Sequence, residues 1–476
     1  MLFNSPVYIF FFLPTVLLVY FFFNQRHLVK LGKYWLLTAS LFFYGFWNPF
    51  YVPLLAGSIG VNFTCGILLG RSAPRSRVRR TLLCVGIGLN ILLLGYFKYA
   101  NFFLAPIIAQ SVGSCDLLQL ALPLAISFFT LQQIAYLVDR YYQQTCASNF
   151  LNYSLFVTFF PQLIAGPIVR HGEMVPQFAR LRTVLPNYRN LALGLLIFFI
   201  GLFKKVVIAD TFGVWATQGF DQMTVLNFGN AWVTSLSYSL QLYFDFSGYT
   251  DMAIGAACMF NINLPPNFNA PYKALNIQEF WRRWHITLSR WLYDYLYVPL
   301  SCRSESAKLR ENIPHPNQRT NYRPVQAIFV VFVLYGVWHG AGWTFILWGM
   351  LHGAASIVHR FWQKRRDPLP GWSAWLLTFG FVNAAWVLFR ASSLDDALKV
   401  YRGMIGVSGF GMPDAFPPMS LTLVFSVLLI VLFTPNSMEL TERLRPNLVW
   451  TLFIAALITV SLAHLSGVTE FLYLRF

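Results

Sequence analysis

Val325-Gln326-Ala327-Ile328-Phe329-Val330-Val331-Phe332-Val333-Leu334-Tyr335-Gly336-Val337-Trp338-His339-Gly340-Ala341-Gly342-Trp343-Thr344-Phe345-Ile346-Leu347 contains no lysine, arginine, aspartate or glutamate. Such a run is long enough to enter a bilayer whose hydrocarbon core is ~30 Å thick. The one group in it that titrates near neutral pH is His339. A titratable side chain at bilayer depth is expensive, so it marks a functional site by default. The glycines at 336, 340 and 342 allow close helix approach and a local break that opens a polar pocket. His352 follows four residues after Trp348, on the same helical face.

A second histidine stands in comparable company, in Phe280-Trp281-Arg282-Arg283-Trp284-His285-Ile286-Thr287-Leu288-Ser289. Tryptophans anchor such a stretch at the headgroups. That accounts for Trp281, Trp284 and Trp291 but not for His285 or Ser289. His27, His171, His315 and His359 stand beside basic or polar loop residues and read as interfacial or solvated. His464, near the end of the last apolar segment, has no polar company.

The rest of the chain agrees with a membrane setting. Of 476 residues, 57% are hydrophobic, 18% aromatic and 11% charged, against about 25% charged in a soluble domain. The sequence reads as an all-α polytopic membrane protein: one integral-membrane domain over 1–476, with a functional core over about 120–360. Apolar spans are expected near 7–23, 35–47, 51–70, 81–97, 118–138, 189–208, 229–244, 248–262, 325–347, 345–361, 371–390, 418–434 and 447–465. Some are too short or overlap, which leaves about eleven crossings plus re-entrant pieces. No internal repeat stands out.

The formal net charge of +17 comes from loop clusters: Arg26, Lys30 and Lys33; Arg71, Arg75, Arg77, Arg79 and Arg80; Lys273, Arg282, Arg283 and Arg290; Lys364, Arg365 and Arg366. These are the marks of cytoplasmic loops facing anionic lipid, not of a nucleic-acid surface. The first apolar segment precedes its basic residues and lacks a small-residue cleavage site, so it is expected to be retained with its N-terminus outside. The aromatic stretch 291–300 has basic residues on both sides and ends in Pro299-Leu300. It reads as interfacial or re-entrant on the cytoplasmic side. Phe159-Phe160-Pro161-Gln162-Leu163-Ile164-Ala165-Gly166-Pro167 cannot form a straight helix. The loop 302–324 is the longest polar interruption and is expected to be cytoplasmic. The six cysteines show neither a CxxC pair nor metal-ligand spacing, so no disulfide framework and no metal site is inferred.

Acidic groups in apolar context include Asp139, Asp210 and Asp294. Asp245-Phe246-Ser247-Gly248-Tyr249-Thr250-Asp251 places two carboxylates and three hydroxyls in seven residues. At membrane depth these either line a cavity or pair with a cation in a helix-break network. Gln132 and Gln133 suit interhelical hydrogen bonding. No P-loop, GxGxxG, GxSxG or HExxH is present, which argues against nucleotide hydrolysis, dinucleotide redox chemistry, a serine hydrolase and a zincin.

Taken together, these segments resemble membrane-bound O-acyltransferases, and within them the bacterial alginate O-acetylation branch. The likeness runs through Leu2-Phe3-Asn4-Ser5, Leu122-Pro123 onward to Asp139, Phe160 to Pro167, Asp245 to Asp251, Phe280 to Ser289, and Gly336 to Gly353. It covers about residues 1–360. The resemblance implies that His339 is the catalytic histidine, that His285 is the second histidine of the family, and that a funnel or tunnel crosses the bundle. Family members usually follow Tyr-x-Pro-Leu with Gly-Gly-Asn-Arg, whereas Pro299-Leu300 is here followed by Ser301-Cys302-Arg303-Ser304.

The resemblance also implies the substrates. The donor is an acyl thioester, acetyl-CoA first among them, with no bound cofactor. Trp338, Trp343, Asp245, Asp251, Ser289 and Gln132 are the candidate substrate-binding residues. The acceptor is an extracytoplasmic polysaccharide, reached through an extracytoplasmic acetyltransferase partner protein. Membrane lipid surrounds the chain, nucleic acid is not a partner, and the location is the cytoplasmic (inner) membrane. D-alanyl transfer in teichoic-acid modification, with a carrier-protein donor, is the alternative within the family. Peptidoglycan or cellulose are other possible acceptors. A transporter or flippase without acyl chemistry, or a scaffold of an export complex, would be a different class. His339 is suited to remove a proton from an acceptor hydroxyl or to carry the acyl group itself.

Overall fold

A computed structural model describes residues 1–111, 122–146, 149–180, 184–301, 325–364, 369–444, 447–465, 469, 471 and 472, with backbone alone for 101 and 103–111. The loop 302–324 and Cys115 lie outside the described residues. Every regular element among the described residues is helical. Five helices are long and apolar enough to cross a membrane: Tyr8–Gln25, Pro49–Arg71, Arg77–Ala100, Tyr188–Gln222 and Gly371–Arg390. Val325–His339, Ser420–Phe433 and Leu448–Ala463 are apolar but shorter. Length and apolarity therefore do not establish the expected figure of about eleven crossings.

Two expected spans, 229–244 and 248–262, are one helix, Phe228–Met259. The polar run 245–251 lies inside it and does not break it. Conversely, the stretch after Thr158 breaks as its prolines require. Helix Phe150–Thr158 ends at Phe159, a four-residue helix Phe160–Leu163 follows, and Gly166 closes the turn. The 291–300 stretch is likewise short pieces, Ile286–Leu292, Tyr293–Tyr297 and Val298–Ser301.

The chain forms two compact units. The first comprises Met1–Val207, Asp245–Pro266 and Ser437–Phe476; the second comprises Ile208–Phe244 and Asn267–Asn436. In the first, helix Tyr188–Phe203 lies against the second half of Phe228–Met259 at glycines. A Cβ added to Gly201 would stand 2.5 Å from the Gly248 carbonyl oxygen, and one added to Gly255 would stand 2.6 Å from that of Gly194. Small residues at this spacing let membrane helices pack backbone to backbone. The wide-turn segment Lys204–Ala209 then brings two lysines to the paired helix. Lys204 Nζ meets Asp251 Oδ2 at 2.7 Å, and Lys205 Nζ meets Asp245 Oδ1 at 2.8 Å. The sequence left two readings for Asp245 and Asp251, a cavity lining or a cation pair. The observed arrangement is the cation pair.

The second unit is built round a helical hairpin, Val325–His339 and Trp343–Trp362. Its two arms also touch at glycines. A Cβ on Gly336 would meet the Phe345 carbonyl oxygen at 2.3 Å, and one on Gly349 would meet that of Phe332 at 2.4 Å. Helix Gly371–Arg390 packs on the second arm.

Candidate active site

His285, His339 and His352 all belong to the second unit. His339 is the last residue of helix Val325–His339, where the glycines at 340 and 342 end the helix before Trp343 starts the next. Its ring is 3% exposed. It lies 4.7 Å from Tyr335, 5.0 Å from Trp338, 5.3 Å from Trp348 and 4.9 Å from Phe389, ring centre to ring centre. The imidazole is thus walled by aromatic rings. Hydrogen bonds and charges act more strongly in such a dry setting than in water.

His285 is wholly buried. It caps helix Ile286–Leu292 from the left-handed region, at φ 42° and ψ 53°, where residues with a Cβ are uncommon. Asn267 holds this turn. Its backbone carbonyl accepts from Ile286 N at 2.9 Å. Its Oδ1 accepts from Thr287 N at 3.2 Å and Thr287 Oγ1 at 2.6 Å. His285 Nδ1 stands 3.3 Å from the same oxygen. Donation from Nδ1 sets the tautomer in which Nε2 carries the lone pair. Asn267 was missed in the sequence. Its only signal is a place directly after Pro265-Pro266, where a loop turns back.

One aromatic cluster joins the surroundings of the two histidines. Trp284 packs on Trp386 at 4.9 Å and Trp281 on Trp348 at 5.7 Å. Trp348 and Phe389, which wall His339, also pack on Trp386. The tryptophans of the 280–289 stretch therefore form a core rather than only an interfacial belt.

The remaining candidates separate. Trp338 is half-buried against His339. Trp343 is 65% exposed. Ser289 Oγ reaches the Trp284 carbonyl at 3.4 Å. Asp245, Asp251 and Gln132 belong to the first unit. There Asp245 also accepts from Leu472 N at 3.0 Å, and Asp251 from Ser437 Oγ at 3.1 Å. Gln132 is buried; its neighbour Gln133 donates to Ser58 Oγ at 3.0 Å. These bonds describe scaffold roles for both carboxylates. His171 is not solvated as expected. It is buried, 2.7 Å from Thr145 Oγ1 and packed on Tyr136 and Phe156.

An imidazole in a dry aromatic site, whose surroundings join those of a second imidazole held in one tautomer, is equipped for proton abstraction or acyl carriage. Comparison with known proteins points the same way. Residues 146–394 match the membrane-bound O-acyltransferase family. The chain is 50% identical over 442 residues to a peptidoglycan O-acetyltransferase of Helicobacter pylori, covering 87% of this chain and 81% of that one. It is 36% identical over 438 residues to a probable alginate O-acetylase of Azotobacter vinelandii, covering 90% and 83%. It is 29% identical over 242 residues to a teichoic acid D-alanyltransferase of Bacillus subtilis, covering 49% and 60%.

Proposed function

The chain belongs to the membrane-bound O-acyltransferase family, and we propose that it passes acetyl groups from a cytosolic thioester, acetyl-CoA first, across the cytoplasmic membrane for O-acetylation of peptidoglycan. It is a multi-pass membrane O-acetyltransferase; the family membership removes the transporter and scaffold readings. The observation that carries the choice of polymer is the likeness to the Helicobacter pylori peptidoglycan O-acetyltransferase. It is markedly higher than the likeness to the alginate O-acetylases and extends over most of both chains. The D-alanyl reading has support over only about half of this chain.

In this reading the acceptor hydroxyl attacks the acyl carbon, the C–S bond of the donor breaks, and the thiol leaves with the proton. His339 moves that proton, or holds the acyl group between donor and acceptor. His285, with its lone pair left on Nε2 by Asn267, serves the donor side. The funnel or tunnel that the resemblance implies is the route by which donor and acceptor reach the His339 ring in this reading. An extracytoplasmic acetyltransferase completes delivery to the polymer.

The test is base-labile acetate on purified muropeptides from cells lacking the gene and complemented with wild type or His339→Ala. Wild type restores acetate; His339→Ala, present at equal level in the membrane, leaves less than about a hundredth, the scale expected for loss of an acid–base group. Acetate that is unchanged on peptidoglycan but lost from a secreted polysaccharide would replace peptidoglycan by an alginate-type acceptor.

A further inference from the structure

Beside His339 the hairpin buries polar atoms that its own packing does not use. Tyr335, Trp348, Trp281 and His352 are 1%, 0%, 7% and 0% exposed. Tyr335 Oη, Trp348 Nε1, Trp281 Nε1 and both ring nitrogens of His352 have no hydrogen-bond partner among the described residues. Buried polar atoms are nearly always paired, and each orphan needs an explanation. Leaving one unsatisfied forfeits the hydration it had in the unfolded chain.

These five atoms belong to side chains that touch one another. Trp281 lies 4.9 Å from His352, 5.3 Å from Tyr335 and 5.7 Å from Trp348. Trp348 lies 4.8 Å from His352 and 5.3 Å from Tyr335. Tyr335 and Trp348 are also two of the rings against His339.

The set is rich in donors. Two indole N–H groups, a phenol O–H and one imidazole N–H can all donate, and no carboxylate is among the ring neighbours named above. Four donors without an anion, in a dry aromatic cluster adjoining the base, are what a developing negative oxygen requires. The geometry points to Tyr335, Trp348, Trp281 and His352 as the site that receives the acyl carbonyl oxygen during transfer, with His352 as a further catalytic residue. This rests on the acyl-transfer reading above. When the hydroxyl oxygen bonds to the acyl carbon, the carbonyl π pair moves to oxygen and is held by these donors. Its return re-forms the carbonyl and breaks the C–S bond. The hydroxyl proton passes to His339 and on to the departing thiolate, so atoms and charge balance.

The test compares His352→Phe, His352→Gln, Tyr335→Phe and Trp348→Phe in intact cells. Labelled acetate is pulsed, and initial incorporation is read per molecule of protein in the membrane. It is read on whichever envelope polymer loses acetate in His339→Ala, so a wrong polymer or donor above does not enter the ratio. A packing role predicts that Phe, which keeps the ring, outperforms Gln at 352. A donor role predicts the reverse order. Expected are a drop of about 100-fold for His352→Phe, the scale measured for one oxyanion-site donor, and partial rescue by Gln. Tyr335→Phe, which keeps ring shape, and Trp348→Phe, which loses the indole N–H with part of the ring system, each fall about tenfold or more. If His352→Phe does not accumulate, Tyr335→Phe, which removes only an oxygen, decides alone. Phe variants within about threefold of wild type, or Phe above Gln at 352, overturn the assignment.

Discussion

His285 occupies a backbone conformation that costs a residue with a Cβ on the order of 1–3 kcal/mol, and Asn267 is the side chain that secures it. Three donors converge on the Asn267 carboxamide oxygen: Thr287 N, Thr287 Oγ1 and His285 Nδ1. The arrangement fixes ring direction and tautomer together, which is the work of a positioning residue. Asn267→Leu removes the acceptor and leaves the Thr287 hydroxyl and amide unsatisfied. The expected loss of stability is about 1–3 kcal/mol, read as a lower melting temperature in detergent. Transfer should fall as far as in His285→Ala. Transfer unchanged in Asn267→Leu would mean that His285 needs no orientation, and that its strained backbone has another cause. His352 stood in the sequence as a histidine one turn from a tryptophan, and that spacing suggested packing as readily as chemistry. Only its burial with two unpaired nitrogens separates the two.

At the scale of elements, the hairpin Val325–His339 and Trp343–Trp362 fixes the geometry of the candidate site, because Tyr335, His339, Trp348 and His352 all hang from it. Its two arms approach through Gly336 and Gly349, each without room for a methyl group against backbone carbonyl of the other. Gly349→Ala should therefore force the helices apart at about 1–3 kcal/mol and reduce transfer with it. Gly380→Ala, where a Cβ meets nothing within 4 Å, should be neutral or stabilise by about 0.5–1 kcal/mol. Thermal denaturation in detergent distinguishes them, and equal melting for both would remove the close contact as a constraint. The glycines at 336 and 340 were legible as a site of close approach, and Pro161, Gly166 and Pro167 as a broken helix, since both follow from local sterics. The unbroken helix Phe228–Met259 was not legible. Asp245 and Asp251 suggest an interruption until Lys204 and Lys205, some forty residues earlier, supply their charge. That pairing is tertiary, and the sequence carries no register that would reveal it. Asn267 escaped for the same reason, since its partner lies twenty residues on across two helices.

On the scale of the whole molecule, apolar side chains are distributed as a bilayer requires. Phe10, Phe11, Leu18, Phe22, Leu92 and Phe433 are all more than half exposed, which is ruinous in water and unremarkable in lipid. In the first unit, Ile9, Leu13, Leu17, Phe198, Phe199 and Met259 line an apolar groove of about 950 Å³, in keeping with a lipid-facing flank. Orientation is then set by basic loops, and charge makes a specific forecast. The cluster Arg75, Arg77, Arg79 and Arg80 stands at the start of helix Arg77–Ser111, and Lys364 stands just after helix Trp343–Trp362. The positive-inside bias predicts that both face the cytoplasm, the side on which a CoA thioester is made. With native cysteines replaced by serine, Ser76→Cys and Lys364→Cys should resist a membrane-impermeant maleimide in intact cells and react after permeabilisation. A permeant maleimide should label both without permeabilisation, which shows that the thiols are accessible. Efficient labelling of both from outside would invert the orientation. Labelling of only one would break the shared cytoplasmic assignment of the two basic loops, and with it the cytoplasmic reading of the stretch 291–300 that follows His285.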